Sequence, residues 1–413
     1  MGINSSKEVY GKMTKEEILH SLAVQTDSKL VMVVIDGIGG LPIRGKTELE
    51  AAKTPNLDRL TPKSVCGLID PISYGITPGS GPSHLALFGY DPFEYAIGRG
   101  VMEALGIGLT LTKDDLATRG NFATADEEGV IIDRRAGRIS TEKNQEICQF
   151  IQNEIKEVEG VRISIYPGKE HRFVILFQGK ELRGDLADAD PQKDGLKAKG
   201  TVGLSPEARR TAGIVNLYLK KATEVLRPFH PANTILLRGF SKIPDIPTMF
   251  DRFKLRPAAI ATYPMYRGLA RLVGMENLET GETNKEEVET LREHLGGYDF
   301  FYLHFKKPDT AGEDGDFRAK VKAIEEIDRL VPSILKLKPD VLVVTGDHST
   351  PALLKSHSWH PNPILLYSRY IRPDGIRRFT ERSCGKGQLG RFSAINLLPL
   401  MMANGLKLKK FGA

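Results

Sequence analysis

The sequence predicts an α/β protein in which helices flank a mostly parallel sheet and a smaller α+β domain is inserted. Continuous apolar runs such as Leu30–Ile35 and Val341–Thr345 are typical of strands buried on both faces of a parallel sheet. The 413 residues exceed what one ordinary core supports, and in the middle of the chain the strands become shorter and basic residues cluster. We expect 1–113 and 232–413 to form the larger domain and 114–231 the inserted, substrate-binding domain.

Composition excludes several functional classes. A hydrophobic fraction of 40% and a charged fraction of 27% indicate a globular protein, and the net charge of +6 weakly favours anionic substrates. The sequence contains no Lys/Arg block with interleaved aromatics, so it does not predict a nucleic-acid partner. The first twenty residues lack the apolar segment of a signal peptide. The sequence has no run of 18 apolar residues, so it does not predict a membrane span. Three scattered cysteines suit a reducing compartment, so we expect a cytoplasmic protein.

The first apolar run ends at an acid. Asp36 follows Leu30–Ile35 directly and precedes Gly37-Ile38-Gly39-Gly40, whose glycines permit a tight turn close to a ligand. The pattern is not a dinucleotide-binding fingerprint. Alternatively, Asp36 caps its own turn.

A hydroxyl residue is held on a sharp turn between Thr77 and His84, in the run T-P-G-S-G-P-S-H. Helical periodicity follows, and free backbone N–H groups at a helix start suit phosphoryl oxygens. Ser80 and Ser83 are both candidate nucleophiles. Alternatively, Ser80 only caps the helix.

Arginines cluster in the predicted insert, within 133–138 and 170–173. The guanidinium fork binds carboxylate and phosphate through two hydrogen bonds, so these clusters indicate an anionic substrate. An acidic loop lies between Gly184 and Asp194. Alternatively, the arginines form a solvated basic surface.

Strands and helices alternate again from Asn233. The pattern predicts strands at Thr234–Leu237, Ala258–Ala261, Asp299–Phe305 and Pro363–Tyr367, and helices at Glu286–Leu295 and Arg318–Leu330. Asp309 and Glu313 lie four residues apart in a predicted glycine-containing loop and can point at one ion.

The second apolar run also ends at ligand-type residues. Asp347 and His348 follow Val341–Thr345, and His357 and His360 come soon after, so three of the nine histidines fall within thirteen residues. Carboxylate and neutral imidazole suit divalent metals. Because the carboxyl ends of parallel strands line one edge of a sheet, we expect Asp347 and His348 to meet Asp36 and Asp309, which also lie at or just past strand ends. A surface loop rich in histidine is the alternative.

Seven ordered motifs resemble the cofactor-independent phosphoglycerate mutases of the archaeal type, a branch of the alkaline phosphatase superfamily. They are I-D-G-I-G-G, T-P-N-L-D, T-P-G-S-G-P-S-H-L-A-L-F-G-Y-D-P, D-R-R-A-G-R-I, K-P-D-T-A-G-E-D-G-D, G-D-H-S-T-P and H-S-W-H-P-N-P. The resemblance extends from about Lys29 to the end of the chain. It implies an alkaline-phosphatase-like main domain that interconverts 3-phosphoglycerate and 2-phosphoglycerate in glycolysis and gluconeogenesis, without bisphosphoglycerate.

The resemblance also implies a phosphoserine intermediate and two divalent metal ions. It identifies Ser80 as the nucleophile. The implied ligands are Asp36, Ser80, Asp347 and His348 for one ion, and Asp309, Glu313 and His357 for the other. Better-known members have histidine where this chain has Glu313, and carboxylate there favours Mn²⁺ or Mg²⁺ over Co²⁺ or Zn²⁺. His360 is expected to have no ligand role.

Substrate-binding residues follow less directly from the resemblance. The candidates to clamp carboxylate and phosphate are Arg134, Arg138, His171, Arg172, Arg238 and Arg267, and those to shuttle protons are Asp188 and Asp190. The nearest alternative function is a metal-dependent phosphatase or another phosphomutase of the same superfamily. A phosphate-sensing scaffold is a further alternative, whereas a metal-independent serine hydrolase is disfavoured because no G-x-S-x-G turn occurs.

Overall fold

The computed structural model describes residues 13–412, which separate into two compact units. Within the described residues, the first unit comprises 13–96 together with 246–412, and the second comprises Ile97–Asp245. Among the described residues, no helix combines the length and apolar character needed to cross a membrane.

Strands are numbered in chain order over residues 13–412. They are β1 (Leu30–Ile35), β2 (Val65–Asp70), β3 (Asp115–Ala125), β4 (Ile131–Asp133), β5 (Glu157–Val158), β6 (Val161–Pro167), β7 (Arg172–Gln178), β8 (Thr234–Ser241), β9 (Pro257–Ile260), β10 (Glu276–Asn277), β11 (Phe300–Phe305), β12 (Val341–Thr345), β13 (Asn362–Ser368) and β14 (Gly390–Ser393).

The α-helices in the same part of the chain are named by their bounds. They are Lys15–Leu22, Glu48–Ala51, Pro55–Leu60, Ser80–Leu87, Arg99–Gly106, Thr141–Glu154, Arg209–Leu226, Met249–Phe253, Pro264–Leu272, Asn284–His294, Lys307–Asp314, Phe317–Asp328, Val331–Lys336, Glu381–Cys384 and Leu397–Asn404.

The first unit is built on a mostly parallel sheet in the order β10-β9-β11-β1-β12-β13-β2-β14. The central strand β1 pairs in parallel with β11 and β12, whereas β13 runs antiparallel to β12 and β2. Every residue of β1, β11 and β12 is buried, which explains their uninterrupted apolar sequences. This sheet, with its helices, confirms the predicted class.

The second unit is the inserted α+β unit. Its antiparallel sheet has the order β4-β3-β7-β6-β5, and β8 pairs with β3. The helices Thr141–Glu154 and Arg209–Leu226 contribute buried apolar side chains to the same core as β7, including Ile151 and Tyr218.

The unit boundaries differ from the predicted 114–231. The insert begins at Ile97 and ends at Asp245, because the helix Arg99–Gly106 packs on β3 and β8, and because β8 belongs to the insert's sheet. We predicted a short strand of the larger domain ending before Arg238. This assignment was wrong because a short apolar run does not identify the sheet it joins.

Most predicted elements of the first unit are confirmed within two residues of their ends, but one is corrected. The predicted loop after β11 is the helix Lys307–Asp314, which ends at Gly315 with φ of 77°. Pro308 lies in its first turn, where a missing N–H costs nothing, and Gly315 supplies the left-handed residue that ends many helices.

A buried acid on the helix Asn284–His294 gives this unit a testable pH dependence. Glu287 is 2% exposed, and burial raises the pKa of its carboxyl to about 8, although Lys307 opposes the shift. The folded state therefore favours the protonated acid, so stability is lost as pH rises from about 4.5 through about 8.

We expect Glu287→Gln to match the wild type at pH 5 and to be more stable at pH 9. The difference at pH 9 should be on the order of 5 kcal/mol in the free energy of unfolding, measured by urea titration of the metal-free protein. Equal differences at both pH values would contradict the raised pKa.

Candidate active site

Three adjacent parallel strands bring ligand-type residues to one edge of the first unit's sheet. Asp36 follows β1, Asp347 and His348 follow β12, and the helix carrying Asp309 follows β11. All four side chains are at most 1% exposed. The expectation that strand ends bring these residues together is confirmed.

The first potential metal-binding group is Asp36, Asp347 and His348. His348 Nε2 lies 3.4 Å from Asp36 Oδ1 and 3.0 Å from Asp347 Oδ2. Apart from these contacts with His348, and a 3.4 Å contact of Asp347 Oδ2 with His84 Nδ1, the buried Asp36 Oδ1 and Asp347 Oδ2 have no hydrogen-bond partner within residues 13–412. Buried carboxylate oxygens without partners are costly, so this donor set fits a divalent cation.

The second group is Asp309, His348 and His357. His357 Nε2 lies 3.7 Å from Asp309 Oδ1, and the His348 and His357 rings stack with centroids 3.6 Å apart. Glu313 Oε1 also lies 3.7 Å from His357 Nε2, although Glu313 is 54% exposed and belongs to neither group. One helical turn separates Asp309 from Glu313, so the helix directs both toward the same side.

A hydrogen bond to Thr350 determines which nitrogen of His348 faces the first group. His348 Nδ1 lies 2.9 Å from Thr350 Oγ1, which donates to Asp309 Oδ1 at 2.5 Å. His348 Nδ1–H is therefore the donor to Thr350, and Nε2 is the atom beside Asp36 and Asp347. Our sequence reasoning missed Thr350, although it lies in the G-D-H-S-T-P motif.

The local charges keep the carboxylates ionised. Burial alone would raise the pKa of Asp347, yet His348 and His84 hold it well below its usual range. Burial lowers the pKa of His348, but Asp347 reverses this effect and raises it to about 9. In the metal-free protein a protonated imidazole thus compensates part of the carboxylate charge.

Lys306 and Tyr266 are further site residues that sequence reasoning missed. Lys306 Nζ lies 3.1 Å from Asp36 Oδ2 and also donates to Asp309. Burial lowers the pKa of Lys306, but the two carboxylates raise it above its usual value. Tyr266 Oη donates to Asp36 Oδ2 at 2.6 Å. Lys306 directly follows β11, so its position at a strand end was the signal that could have found it.

Ser80 lies beside the first group. It is the first residue of the helix Ser80–Leu87, whose N-cap is Gly79, and its Oγ lies 3.3 Å from His348 Nε2. Ser83 is fully buried, and its Oγ donates back to the Ser80 carbonyl oxygen at 3.0 Å. The geometry therefore distinguishes the two serines, because only the Ser80 hydroxyl contacts a member of the metal-binding groups.

The remaining predicted loop histidine lies outside both groups. His360 Nδ1 contacts Ser358 Oγ at 3.1 Å, and its ring stacks on Trp359.

The glycines after β1 were expected to let the backbone approach a ligand closely, but they approach another part of the chain. A Cβ at Gly37 would lie 2.7 Å from Thr350 Oγ1, and one at Gly39 would lie 1.8 Å from Ser349 Oγ, so the close approach is to the loop after β12.

The second unit has a basic cavity of about 110 Å³. Its lining residues are Arg119, Asn121, Arg134, Arg135, His171, Arg172 and Arg238. Buried Nε atoms of Arg119, Arg172 and Arg238 have no hydrogen-bond partner within the described chain. Two acids approach the cluster from its margins: Glu103 lies 3.6 Å from Arg119 and Asp190 lies 3.8 Å from Arg238. Burial together with Arg172 lowers the pKa of His171 to about 4, so the ring is neutral at pH 7. The cavity is suited to an anion.

The predicted substrate-binding residues divide into those inside this cavity and those outside. Arg134, His171, Arg172 and Arg238 line it, and Arg134 binds Asp190 through two hydrogen bonds of 3.0 and 2.7 Å.

Three other candidates lie elsewhere. Asp188 accepts from the Gly239 N–H at 2.8 Å, and Arg138 is exposed outside the cavity lining. Arg267 belongs to the first unit, where it pairs with Glu279 at 2.7 Å.

Sequence reasoning also missed Arg119, Asn121 and Arg135. The first two alternate along β3 and therefore lie on one face of the sheet.

Fold and site together define an α/β enzyme whose acids, imidazoles and helix-initiating serine are suited to phosphoryl transfer. A sequence profile described as 2,3-bisphosphoglycerate-independent phosphoglycerate mutase matches residues 62–233. A relative from Thermotoga neapolitana, named as a probable mutase of this kind, is 51% identical over 97% of this chain and 100% of its own length. One from Thermus thermophilus with the same name is 51% identical and covers 96% and 99%. The chain belongs to the family of 2,3-bisphosphoglycerate-independent phosphoglycerate mutases, and it is an isomerase.

Solved structures agree with this family. The chain is similar to a protein from Pyrococcus horikoshii with a TM-score of 0.80 and 32% identity, over 94% of this chain and 100% of the other. It is also similar to the cofactor-independent phosphoglycerate mutase of Thermoplasma acidophilum, with a TM-score of 0.72 and 30% identity, over 92% and 100%.

Proposed function

We propose that this chain interconverts 3-phosphoglycerate and 2-phosphoglycerate through a phosphoserine on Ser80, with two divalent metal ions. The observation that carries the proposal is the contact between the Ser80 hydroxyl and His348, beside two buried carboxylate oxygens whose near neighbours are imidazole nitrogens. Glycolysis and gluconeogenesis in the cytoplasm are the expected setting, consistent with a small phosphorylated substrate.

The donor set supports a particular assignment of ligands. Asp36, Asp347 and His348 would hold one ion together with Ser80, and Asp309, His357 and Glu313 would hold the other. Bound there, divalent ions would neutralise phosphate charge and lower the pKa of the Ser80 hydroxyl. Because carboxylates dominate the donors, Mn²⁺ or Mg²⁺ is favoured over Co²⁺ or Zn²⁺.

The phosphoryl group is transferred in two steps, first to Ser80 and then from it. In the first, Ser80 Oγ forms a bond to phosphorus while the bond from phosphorus to the C3 oxygen breaks, and that oxygen gains the proton that the serine loses. In the second, the C2 oxygen of the retained glycerate forms a bond to phosphorus while the bond from phosphorus to Ser80 Oγ breaks, and Ser80 Oγ regains the proton that the C2 hydroxyl loses. Backbone N–H groups at the start of the helix Ser80–Leu87 are suited to the phosphoryl oxygens.

The basic cavity of the second unit supports binding of the substrate carboxylate. Arg172 lines the cavity and is available for a carboxylate, whereas Arg134 is engaged by Asp190 at 2.7 Å and Arg238 lies 3.8 Å from the same acid. Burial raises the pKa of Asp190, but its hydrogen bonds with Arg134 lower it below the usual value. A carboxylate paired in this way is better suited to orienting Arg134 than to moving protons.

The experiment that tests the function follows the fate of the phosphoryl group. Metal-free protein is supplied with Mn²⁺ and 3-phosphoglycerate without bisphosphoglycerate, and the products are followed by ³¹P NMR. We expect 2-phosphoglycerate. Inorganic phosphate in its place would support the alternative of a metal-dependent phosphatase, and a different phosphomutase would leave 3-phosphoglycerate unchanged.

Substitution of Glu313 tests the second set of ligands. We expect Glu313→Ala to weaken binding of the second Mn²⁺ by about 10-fold or more, because the ion loses a charged donor. Glu313→His should retain activity and shift the preference toward Co²⁺ or Zn²⁺. Calorimetric titration of metal-free protein measures both effects, with the exposed Glu282→Ala as the control. If Glu313→Ala binds two Mn²⁺ ions as tightly as the wild type, Glu313 is not a ligand.

A further inference from the structure

We propose that Lys320 is a positioning residue of the metal site: its buried ammonium joins the loop after β1 to the loop after β12. Lys320 lies on the helix Phe317–Asp328 and is 0% exposed. Its Nζ donates to the carbonyl oxygens of Gly39 at 2.9 Å and Thr350 at 2.8 Å. The inference rests on the proposed function, because it concerns how the metal ligands are held.

The two carbonyl groups belong to the segments that carry the ligands. Gly39 follows Asp36 by three residues, and Thr350 follows His348 by two. The Thr350 N–H donates to the carbonyl oxygens of Gly37 at 3.3 Å and Gly39 at 3.1 Å, so the loops are also bonded to each other. A shift of the Thr350 backbone would move its hydroxyl away from Asp309 and His348. Lys320 therefore acts on the ligands through the backbone.

Two glutamates, the buried Glu48 and the half-buried Glu381, complete the anchor. Glu48 Oε1 lies 4.0 Å from Lys320 Nζ and accepts from the Ala352 N–H at 2.7 Å. Glu381 accepts from the Gly40 N–H at 3.0 Å and from Thr47 Oγ1 at 2.9 Å. The acids thus bind the same two loops as the ammonium, one loop each.

The packing around the anchor leaves little freedom. A Cβ at Gly40 would lie 1.8 Å from Glu48 Oε2, and a Cβ at Gly39 would lie 1.8 Å from Ser349 Oγ. A buried ammonium costs free energy that a well-packed apolar side chain of similar volume would not. A contribution to the free energy of unfolding therefore does not explain why a lysine occupies this position. Its hydrogen bonds, which hold the two loops in a fixed geometry, do explain it.

The test uses Lys320→Met with a matched control. Lys407 is also 0% exposed, and its Nζ donates to the Thr26 carbonyl oxygen at 2.7 Å, away from both metal-binding groups. Binding of Mn²⁺ to metal-free protein is titrated by electron paramagnetic resonance of the free ion, and circular dichroism reports folding. We expect Lys320→Met to raise the Mn²⁺ dissociation constant by about 10-fold or more and to lower kcat more than it changes KM. Lys407→Met should leave Mn²⁺ binding unchanged.

Two outcomes would overturn the inference. A folded Lys320→Met protein that binds Mn²⁺ like the wild type excludes the positioning role. Equal weakening by Lys320→Met and Lys407→Met shows a general loss of stability. If Lys320→Met does not fold, Lys320→Gln, which retains a donor on a shorter side chain, is measured against the same criteria. If the wild-type protein binds no Mn²⁺, the proposed function itself is refuted. If the wild type binds Mn²⁺ and the Lys320 variant binds it equally well, only the role of Lys320 is refuted.

Discussion

Ser80→Ala is expected to reduce mutase activity on the order of 10⁴-fold or more, because it removes the proposed nucleophile, whose Oγ lies 3.3 Å from His348 Nε2. Metal binding should persist, since Asp36, Asp347 and His348 remain. The rate of 2-phosphoglycerate formation and the Mn²⁺ dissociation constant measure these two effects separately.

Ser83→Ala is the matched control for the Ser80 prediction. Ser83 lies on the same helix, and its hydroxyl is directed to the Ser80 carbonyl oxygen, so its loss should cost stability with little change in the chemical step. Near-wild-type activity of Ser80→Ala would refute the covalent mechanism.

Asp347→Asn is expected to have a comparably large effect through the metal. The substitution removes a fully buried negative charge whose Oδ2 has the imidazole nitrogens of His348 and His84 as near neighbours. An amide at this position is a weaker ligand for a hard cation, so we expect at least about 10³-fold lower activity at equal Mn²⁺ concentration. Raising Mn²⁺ should recover part of the activity.

Asp299→Asn provides the comparison for Asp347→Asn. Asp299 is 1% exposed and pairs with Arg256 at 2.9 Å, just before β11 begins. Its replacement should lower the free energy of unfolding without changing the Mn²⁺ dependence of activity. If both variants require the same Mn²⁺ concentration as the wild type, Asp347 is not a ligand.

The sequence was most informative where burial is uniform. β1 and β12 begin and end at the predicted residues, because strands buried on both faces are continuous apolar runs that stop where polar residues begin. Asp36, Asp347 and His348 were recognisable for the same reason. Parallel pairing of neighbouring strands then required them to meet at one edge.

Prediction failed where tertiary contacts decide the outcome. The helix Lys307–Asp314 contains proline and glycine, whose local preferences indicated a loop, yet capping and packing make it helical. Arg119 and Asn121 were missed because the cavity they line forms only when β3, β7 and β8 pair.

Lys320 could not be found from sequence. Its partners are carbonyl groups 281 and 30 residues away, and a backbone acceptor leaves no side-chain pattern in the sequence.

The central claim is that Ser80 carries the phosphoryl group during a metal-dependent isomerisation. The most direct measurement supplies Mn²⁺-loaded protein with ³²P-labelled 3-phosphoglycerate, quenches within milliseconds in acid, and locates the label by peptide mass spectrometry. We predict label on Ser80 that disappears when unlabelled phosphoglycerate is added, and none in chelator-treated protein. Isomerisation without any label on Ser80, or at full rate in the chelator-treated protein, would contradict the account.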